Sequence, residues 1–269
     1  MVPNKNNFCG GAFDDWREVL LISKCNGKCT WCVERGGFHP TEEATVERLI
    51  ELLEVDDATK IILLGGEPML YESMRELIRG LPGKQIYITT NGTNITEGTI
   101  RTDLSGLKGL NISIHHYDLK RNRDITGILL QQEVIENAVV ECRRQGTEVR
   151  LNCNIIRGQI DSKRECLRYI QWAKECGIDR IRFAELKIDK VRFVSLCRIW
   201  RGRYGLSENP YINGCNQNAV IEGVSVNFRQ MCGLQTDSRA RPENPKNVNE
   251  KLVLYYDGLY YTGWQSQRR

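Results

Sequence analysis

Val19-Leu-Leu-Ile22-Ser-Lys-Cys25-Asn-Gly27-Lys-Cys29-Thr-Trp31-Cys32 joins a short apolar run to three thiols within eight residues. The run of residues 19–22 has the pattern of a strand buried on both faces, as in parallel sheets. The loop beyond it is polar. Thiolates are the ligands that soft metals and iron–sulfur clusters need, and Gly27 lets such a loop fold tightly enough for three sulfurs to converge. Burial as small hydrophobes fits scattered cysteines but not three in a polar loop. Two metal readings stay open on the loop alone. One is a closed zinc site, with His39 as fourth ligand beside Cys25, Cys29 and Cys32. The other is a cubane cluster with three protein ligands and one open iron. An open position at a strand's carboxyl end suits a metal that binds substrate.

From about Glu18 to Arg198, strand-like and helix-like segments alternate. Thr41 offers a helix N-cap, with Glu42 and Glu43 in the first turn, where the helix dipole favours negative charge. Val46, Leu49, Ile50 and Leu53 follow at helical spacing. Residues 61–64 read as a second strand, and 71–79 as a helix ended by Gly80 and Pro82. Strands are expected at 85–90, 110–114, 149–156 and 178–186, with helices at 128–144, around Cys166, Ile170 and Ala173, and at 191–200. Such alternation predicts βα units and a parallel sheet, which right-handed crossovers curl. The expected fold is therefore α/β: a partial (β/α)6 barrel of parallel strands over residues 17–200, after an N-terminal extension, 1–16. A C-terminal extension, 201–269, is expected to pack on its substrate side. In that extension 204–241 is rich in Asn and Gly, and 241–249 reads as loop. Residues 252–256 and 259–261 flank Asp257-Gly258 as a β-hairpin.

The 269 residues suffice for a sizeable core without staples. Hydrophobic residues at 41% and charged ones at 27% describe a soluble globular chain. No apolar run approaches a membrane span, and residues 1–10 do not read as a secretory signal. Eleven cysteines, an odd number and mostly isolated, argue against a disulfide framework and for a reduced, cytoplasmic setting. A net charge of +4, from 38 basic and 34 acidic residues, does not demand a nucleic-acid partner.

The downstream strand ends separate the two metal readings. The Cys-x-x-x-Cys-x-x-Cys spacing with Trp31 before the last cysteine resembles the radical S-adenosylmethionine (radical SAM) superfamily. Gly65-Gly66-Glu67-Pro68 after the second strand is similar to that family's motif for the methionyl amino group. Glycines there let backbone approach a ligand, and Glu67 is able to accept from an ammonium. Thr90 and Asn91 after the third strand, and Ser113 on the fourth, resemble polar contacts to methionine and ribose. Asn152, ahead of Arg157-Gly158, resembles the fifth-strand motif. Arg182-Phe-Ala-Glu185 resembles the adenine-side edge in the molybdenum-cofactor branch, and Trp31 the aromatic near adenine.

The resemblance implies a [4Fe–4S] cluster on Cys25, Cys29 and Cys32, with S-adenosyl-L-methionine on the fourth iron. It also implies a low-potential electron from a flavodoxin or ferredoxin, and a 5′-deoxyadenosyl radical that abstracts hydrogen from substrate. The cofactor carries the hard chemistry and the protein orients it. The substrate is left open between a peptide and a nucleotide or nucleic-acid-linked group. His115, His116 and Asp118 follow the fourth strand and are candidates for the substrate side. Arg192, Arg198, Arg201 and Arg203 read as a solvated face, or as a grip on phosphate. Cys215 and Cys232 read as free thiols or packing residues. A second cluster would need Cys197 or Cys9 as well, and the C-terminal end lacks the cysteine trio and glycine-rich tail of the GTP cyclases.

Overall fold

Strands that alternate branched apolar with polar residues bury one face and leave the other to line a cavity. The computed structural model of the chain describes residues 15–34, 39–186, 189–209, 214–231 and 252–262. In it β1 (Trp16–Leu20), β2 (Lys60–Leu64), β3 (Gln85–Thr90), β4 (Gly109–Ser113), β5 (Glu148–Asn154) and β6 (Arg180–Ala184) lie side by side in chain order. Every neighbouring pair among them is parallel. The connections carry α1 (Val46–Val55), α2 (Met74–Arg79), α3 (Glu97–Thr102), α4 (Leu119–Thr126), α5 (Gln132–Arg144) and α6 (Lys163–Glu175), and α7 (Leu196–Trp200) follows β6. Val19, Ile61, Leu63, Ile86, Ile88, Leu151 and Phe183 share one core with the buried faces of the helices.

The opposite face is concave. Glu18 on β1 acts electrostatically on Arg182 on β6. In a flat sheet those strands, five steps apart, would stand about 24 Å from each other. The sheet therefore curls into a partial barrel, as expected, with a lumen lined by the alternate residues of each strand.

The tail extends this sheet at both edges. β7 (Asn216–Ile221) and β8 (Val224–Arg229) form an antiparallel hairpin, and β8 joins β6 in parallel. At the other edge β9 (Leu252–Tyr255) pairs in parallel with β1, and β10 (Tyr260–Thr262) returns antiparallel to it. The Asp257-Gly258 hairpin is thus present. Asp56, after α1, accepts from Arg17 Nε at 2.6 Å and Nη2 at 3.0 Å, and from Tyr260 Oη at 2.8 Å. That triad binds the last hairpin to β1 and α1.

Several local expectations need correction. The cap of α1 is Thr45, whose hydroxyl accepts from Arg48 N, so the helix starts four residues after Thr41. The long helix expected from residue 128 begins at Gln132, because α4 ends just before it at a left-handed Gly127. α7 begins only at Leu196, capped by Ser195. The β7–β8 hairpin lies in the Asn/Gly-rich stretch 204–241, for which the sequence pattern predicted no element. Cys197 is buried with its thiol against the Leu206 carbonyl. Cys215 is buried and disulfide-bonded, not a free thiol. Cys9, Cys232, the 241–249 segment and the extension up to residue 14 lie outside the described residues. No described helix is long and apolar enough to cross a membrane.

Candidate active site

The carboxyl ends of all six parallel strands open on one rim, where sites of such sheets gather. The cysteine loop after β1 is fixed there on three sides. Gly66 N donates to the Ile22 carbonyl at 2.7 Å, and Glu67 N to that of Lys24 at 2.9 Å. Lys28 N donates to the Thr126 carbonyl at the end of α4, at 2.7 Å. Asn91 Nδ2 reaches Asn26 Oδ1, and Asn26 Nδ2 reaches Thr93 Oγ1, both at 2.9 Å. Gly65 and Gly66 are required by this approach. A Cβ on Gly65 would stand 2.5 Å from the Ile22 carbonyl oxygen, and one on Gly66 2.2 Å from that of Lys24.

Within the loop Cys25 is exposed, Cys29 and Cys32 are half-buried, and none is in a disulfide. Gly27 N donates to Cys25 Sγ at 3.2 Å. Local burial, with Glu67 and Cys32 nearby, pushes the Cys25 thiol up, against hydrogen bonds from Gly27 and Asn91. Metal binding then has to drive loss of its proton. His39 is exposed and its Nε2 meets the Glu34 carbonyl at 3.0 Å. Among the described residues no three His, Cys, Asp or Glu side chains gather tightly enough for a single metal ion. A tetrahedral zinc site wants four close donors, whereas corner irons of a cubane accept thiolates set further apart. The donor set, three thiols on a tethered rim loop, fits the cluster.

The expected cofactor contacts divide into two groups. Glu67 is buried, and its oxygens accept from Met69 N at 3.0 Å, Thr90 Oγ1 at 2.5 Å and Asn91 N at 2.7 Å. Burial raises its carboxyl above the usual range while these three bonds oppose the shift. Glu67, Thr90 and the Asn91 side chain thus spend their polar atoms holding the β2 and β3 loops and the cysteine loop together. Pro68 opens the 3-10 turn that Glu67 caps. Glu185 is likewise buried, accepting from Leu196 N and Met231 N, both at 2.8 Å. It ties β6 to α7 and to the segment after β8.

Ser113 and Asn152 form the other group. They stand opposite each other in register on β4 and β5, half-buried on the lumen face, and Asn152 Oδ1 is buried without a partner. An orphaned acceptor of that kind is costly unless a ligand satisfies it. Trp31 packs with Ile156 and Leu186, which lie just past β5 and β6, and Cys29 rests against this cluster. The result is an apolar platform beside the thiols. Ile156 and Leu186 were not foreseen. The signal for them was an apolar residue two positions beyond each strand end.

Of the candidates after β4, His115 reaches the rim. Its ring meets Trp31 edge-on at 5.3 Å, and its Nδ1 accepts from Asn154 N at 3.1 Å. Burial lowers it to about 4, so the ring is neutral and carries its proton on Nε2. His116 packs on Tyr117, and its Nδ1 accepts from Asp118 N at 2.9 Å. Asp118 caps α4, accepting from Lys120 N and Arg121 N.

The fold and rim define an α/β enzyme class with a cysteine loop over one end of a partial barrel. The model of the Radical SAM superfamily matches residues 19–183, and the chain belongs to that superfamily of enzymes, which use a [4Fe–4S] cluster and S-adenosylmethionine. It is 27% identical over 236 residues to the GTP 3′,8-cyclase of Lactiplantibacillus plantarum, covering 80% of this chain and 70% of that one. To the probable GTP 3′,8-cyclase of Archaeoglobus fulgidus it is 29% identical over 149 residues, covering 54% of this chain and 50% of the relative. The matched region thus spans from 50% to 70% of these relatives' length. The fold is similar to Streptococcus suis SuiB, with TM-score 0.63 and 20% identity over 93% of this chain and 60% of SuiB. It is also similar to a radical SAM methyltransferase from Sphaerobacter thermophilus, with TM-score 0.57 and 18% identity over 85% and 70% of the two chains.

Proposed function

We propose that the chain reductively cleaves S-adenosylmethionine and abstracts hydrogen from a substrate seated in the lumen, of the nucleotide or peptide class. The observation that carries this reading is the shared rim: three tethered thiols, the Trp31–Ile156–Leu186 platform and the unpartnered Asn152 Oδ1 face one opening. When bound, the cluster and S-adenosylmethionine supply a 5′-deoxyadenosyl radical. Cys25, Cys29 and Cys32 would hold three irons and leave the fourth open. Trp31 and Leu186 offer a flat apolar contact for the adenine. Ser113 and Asn152 offer hydrogen bonds on the lumen side. Glu67 and Asn91 act one step back, by fixing the loops. Exposed Cys25 marks the side from which a flavodoxin- or ferredoxin-type donor would deliver the electron.

Crystal forms of SuiB include one bound to S-adenosylmethionine and one bound to a precursor peptide. The curated relatives bear the name of a GTP cyclase. These are the grounds for the two substrate classes. Anaerobic reconstitution with iron and sulfide, reduction, and chromatography for 5′-deoxyadenosine test the reading. A brown protein that forms the product supports it, and Cys29→Ala should lose both. A colourless protein with one tight zinc per chain would overturn it.

A further inference from the structure

The lumen wall opposite β1 carries arginines for which the rim chemistry has no use. On β5, β6 and β8 the residues Arg150, Arg182 and Arg229 alternate with Leu151, Phe183 and Phe228 of the helix-side core, so their side chains leave the sheet on the lumen face. Register sets their heights. Arg182 pairs with Asn152 and with Asn227, one level above Arg150 on β5. Arg229 pairs with Ala184, one level above Arg182. With a rise of about 6.6 Å per two residues, the three form a diagonal from the rim to the lumen floor.

Among the described residues no carboxylate is in contact with this diagonal, and the attraction from Glu18 and Glu148 is weaker than the effects that oppose the charge. Among the described residues none of the three makes an ion pair. Arg182 Nε donates to the neutral Asn227 Oδ1 at 2.8 Å, and Asn227 is itself held by Asn218 Oδ1 at 2.9 Å. Arg150 Nε is buried without a partner. Burial and mutual repulsion depress both Arg150, to about 10, and Arg182, with only weaker opposing attraction from Glu148 and Tyr87 on the first and Glu18 on the second. Crowded like charges with no carboxylate in direct contact are costly unless a ligand compensates them. The β1 side is more apolar: Leu20, Val253 and Tyr255 pack together beside Leu64 and Tyr261, with Glu18 on the same face of β1.

We infer that Arg150, Arg182 and Arg229 form a binding site for a phosphate-bearing substrate, with a polyphosphate chain along the arginines and the rest of a nucleotide toward the apolar wall. Guanidinium forks match phosphate oxygens bidentately, and three successive levels suit several phosphates better than one. This deepens the reading above and rests on its placement of substrate in the lumen. The surface run at Arg198, Arg201 and Arg203 is the rival grip. It belongs to the region around α7, where Arg198 already pairs with Glu208.

The test is calorimetric titration of the full chain, reconstituted with cluster and S-adenosylmethionine, with sodium tripolyphosphate, GTP, guanosine and an oligoglutamate peptide. Tripolyphosphate and GTP are expected to bind and guanosine to bind at least about tenfold more weakly. Arg150→Gln and Arg182→Gln should each weaken GTP about tenfold or more, with partial rescue by Arg150→Lys. The Arg198→Gln/Arg201→Gln/Arg203→Gln variant should bind as wild type. Should a lumen variant fail to fold, salt decides on the wild type, because phosphate contacts weaken as ionic strength rises. Equal affinity for guanosine and GTP, preference for oligoglutamate, or loss confined to the surface variant would overturn the inference. Substrate-free 5′-deoxyadenosine formation by the wild type reports separately on the radical reading, so failure of one is distinguishable from failure of the other.

Discussion

The Glu67 carboxylate after β2 accepts the backbone N–H of Asn91 after β3 at 2.7 Å, deep in the protein. One buried anion thereby sets the spacing of two rim loops, and through Asn91 Nδ2 and Asn26 it steadies the cysteine loop. Glu67→Gln places an amide donor where three donors converge. We expect a loss of about 1–3 kcal/mol of stability, seen as a lower urea midpoint, together with weaker S-adenosylmethionine binding in equilibrium dialysis. An unchanged midpoint would contradict the strut role.

Gly66→Ala should disturb the metal site without touching a thiol. The added Cβ would meet the Lys24 carbonyl oxygen at 2.2 Å, so backbone has to move. Iron content after reconstitution should fall well below wild type. Gly83→Ala is the control, because its Cβ would meet nothing within 4 Å. Equal iron in both variants would show that the loop is not positioned by this contact.

Asp56 links the last hairpin to β1. Although burial raises its pKa, hydrogen bonds from Arg17, the Ala58 amide and Tyr260 prevail and the net shift is downward. A carboxyl lowered in the folded state stabilises the fold above its unfolded value of 3.8 and loses that contribution as pH falls through the folded value. Asp56→Ala leaves the Arg17 guanidinium only the exposed Asp57 carboxylate and the Leu252 carbonyl, at a cost of about 1–3 kcal/mol near neutral pH. Thermal unfolding of wild type and variant should converge as the pH is brought below 3.8.

His115 has the opposite charge and the same direction. Burial depresses it from 6.5 to about 4, so the unfolded chain binds the extra proton first. Its contribution is fully present above pH 6.5 and lost as pH falls toward 4. His115→Asn, which keeps an acceptor for Asn154 N, should flatten the urea midpoint between pH 7 and pH 5 relative to wild type. An identical pH slope in both would rule out His115 as the titrating group.

Much of this architecture was legible from the chain. Ile61–Leu64 and the β3 run announce themselves by apolar pattern, and the thiol spacing marks the rim loop. The short α3 and α4 were not seen, being one or two turns with few apolar residues. The β7–β8 hairpin hid behind polar outward residues. Its signal was present: Val224, Val226 and Phe228 alternate, and Glu222-Gly223 is a two-residue turn with positive φ at both positions. Asp118 looked like a substrate residue because cap chemistry and catalytic chemistry use the same side chains.

The sequence by itself determined which groups reach the rim: Cys25, Cys29 and Cys32 beyond one strand, Gly65-Gly66 beyond the next, and Trp31 beside them. Those signals are local, carried by spacing within a few residues. Only the tertiary structure decided that Glu67 and Glu185 spend their oxygens on backbone amides tens of residues away or more than ten along the chain. It alone also aligned Arg150, Arg182 and Arg229 as one diagonal, because sheet register and curvature are set by pairing between distant strands.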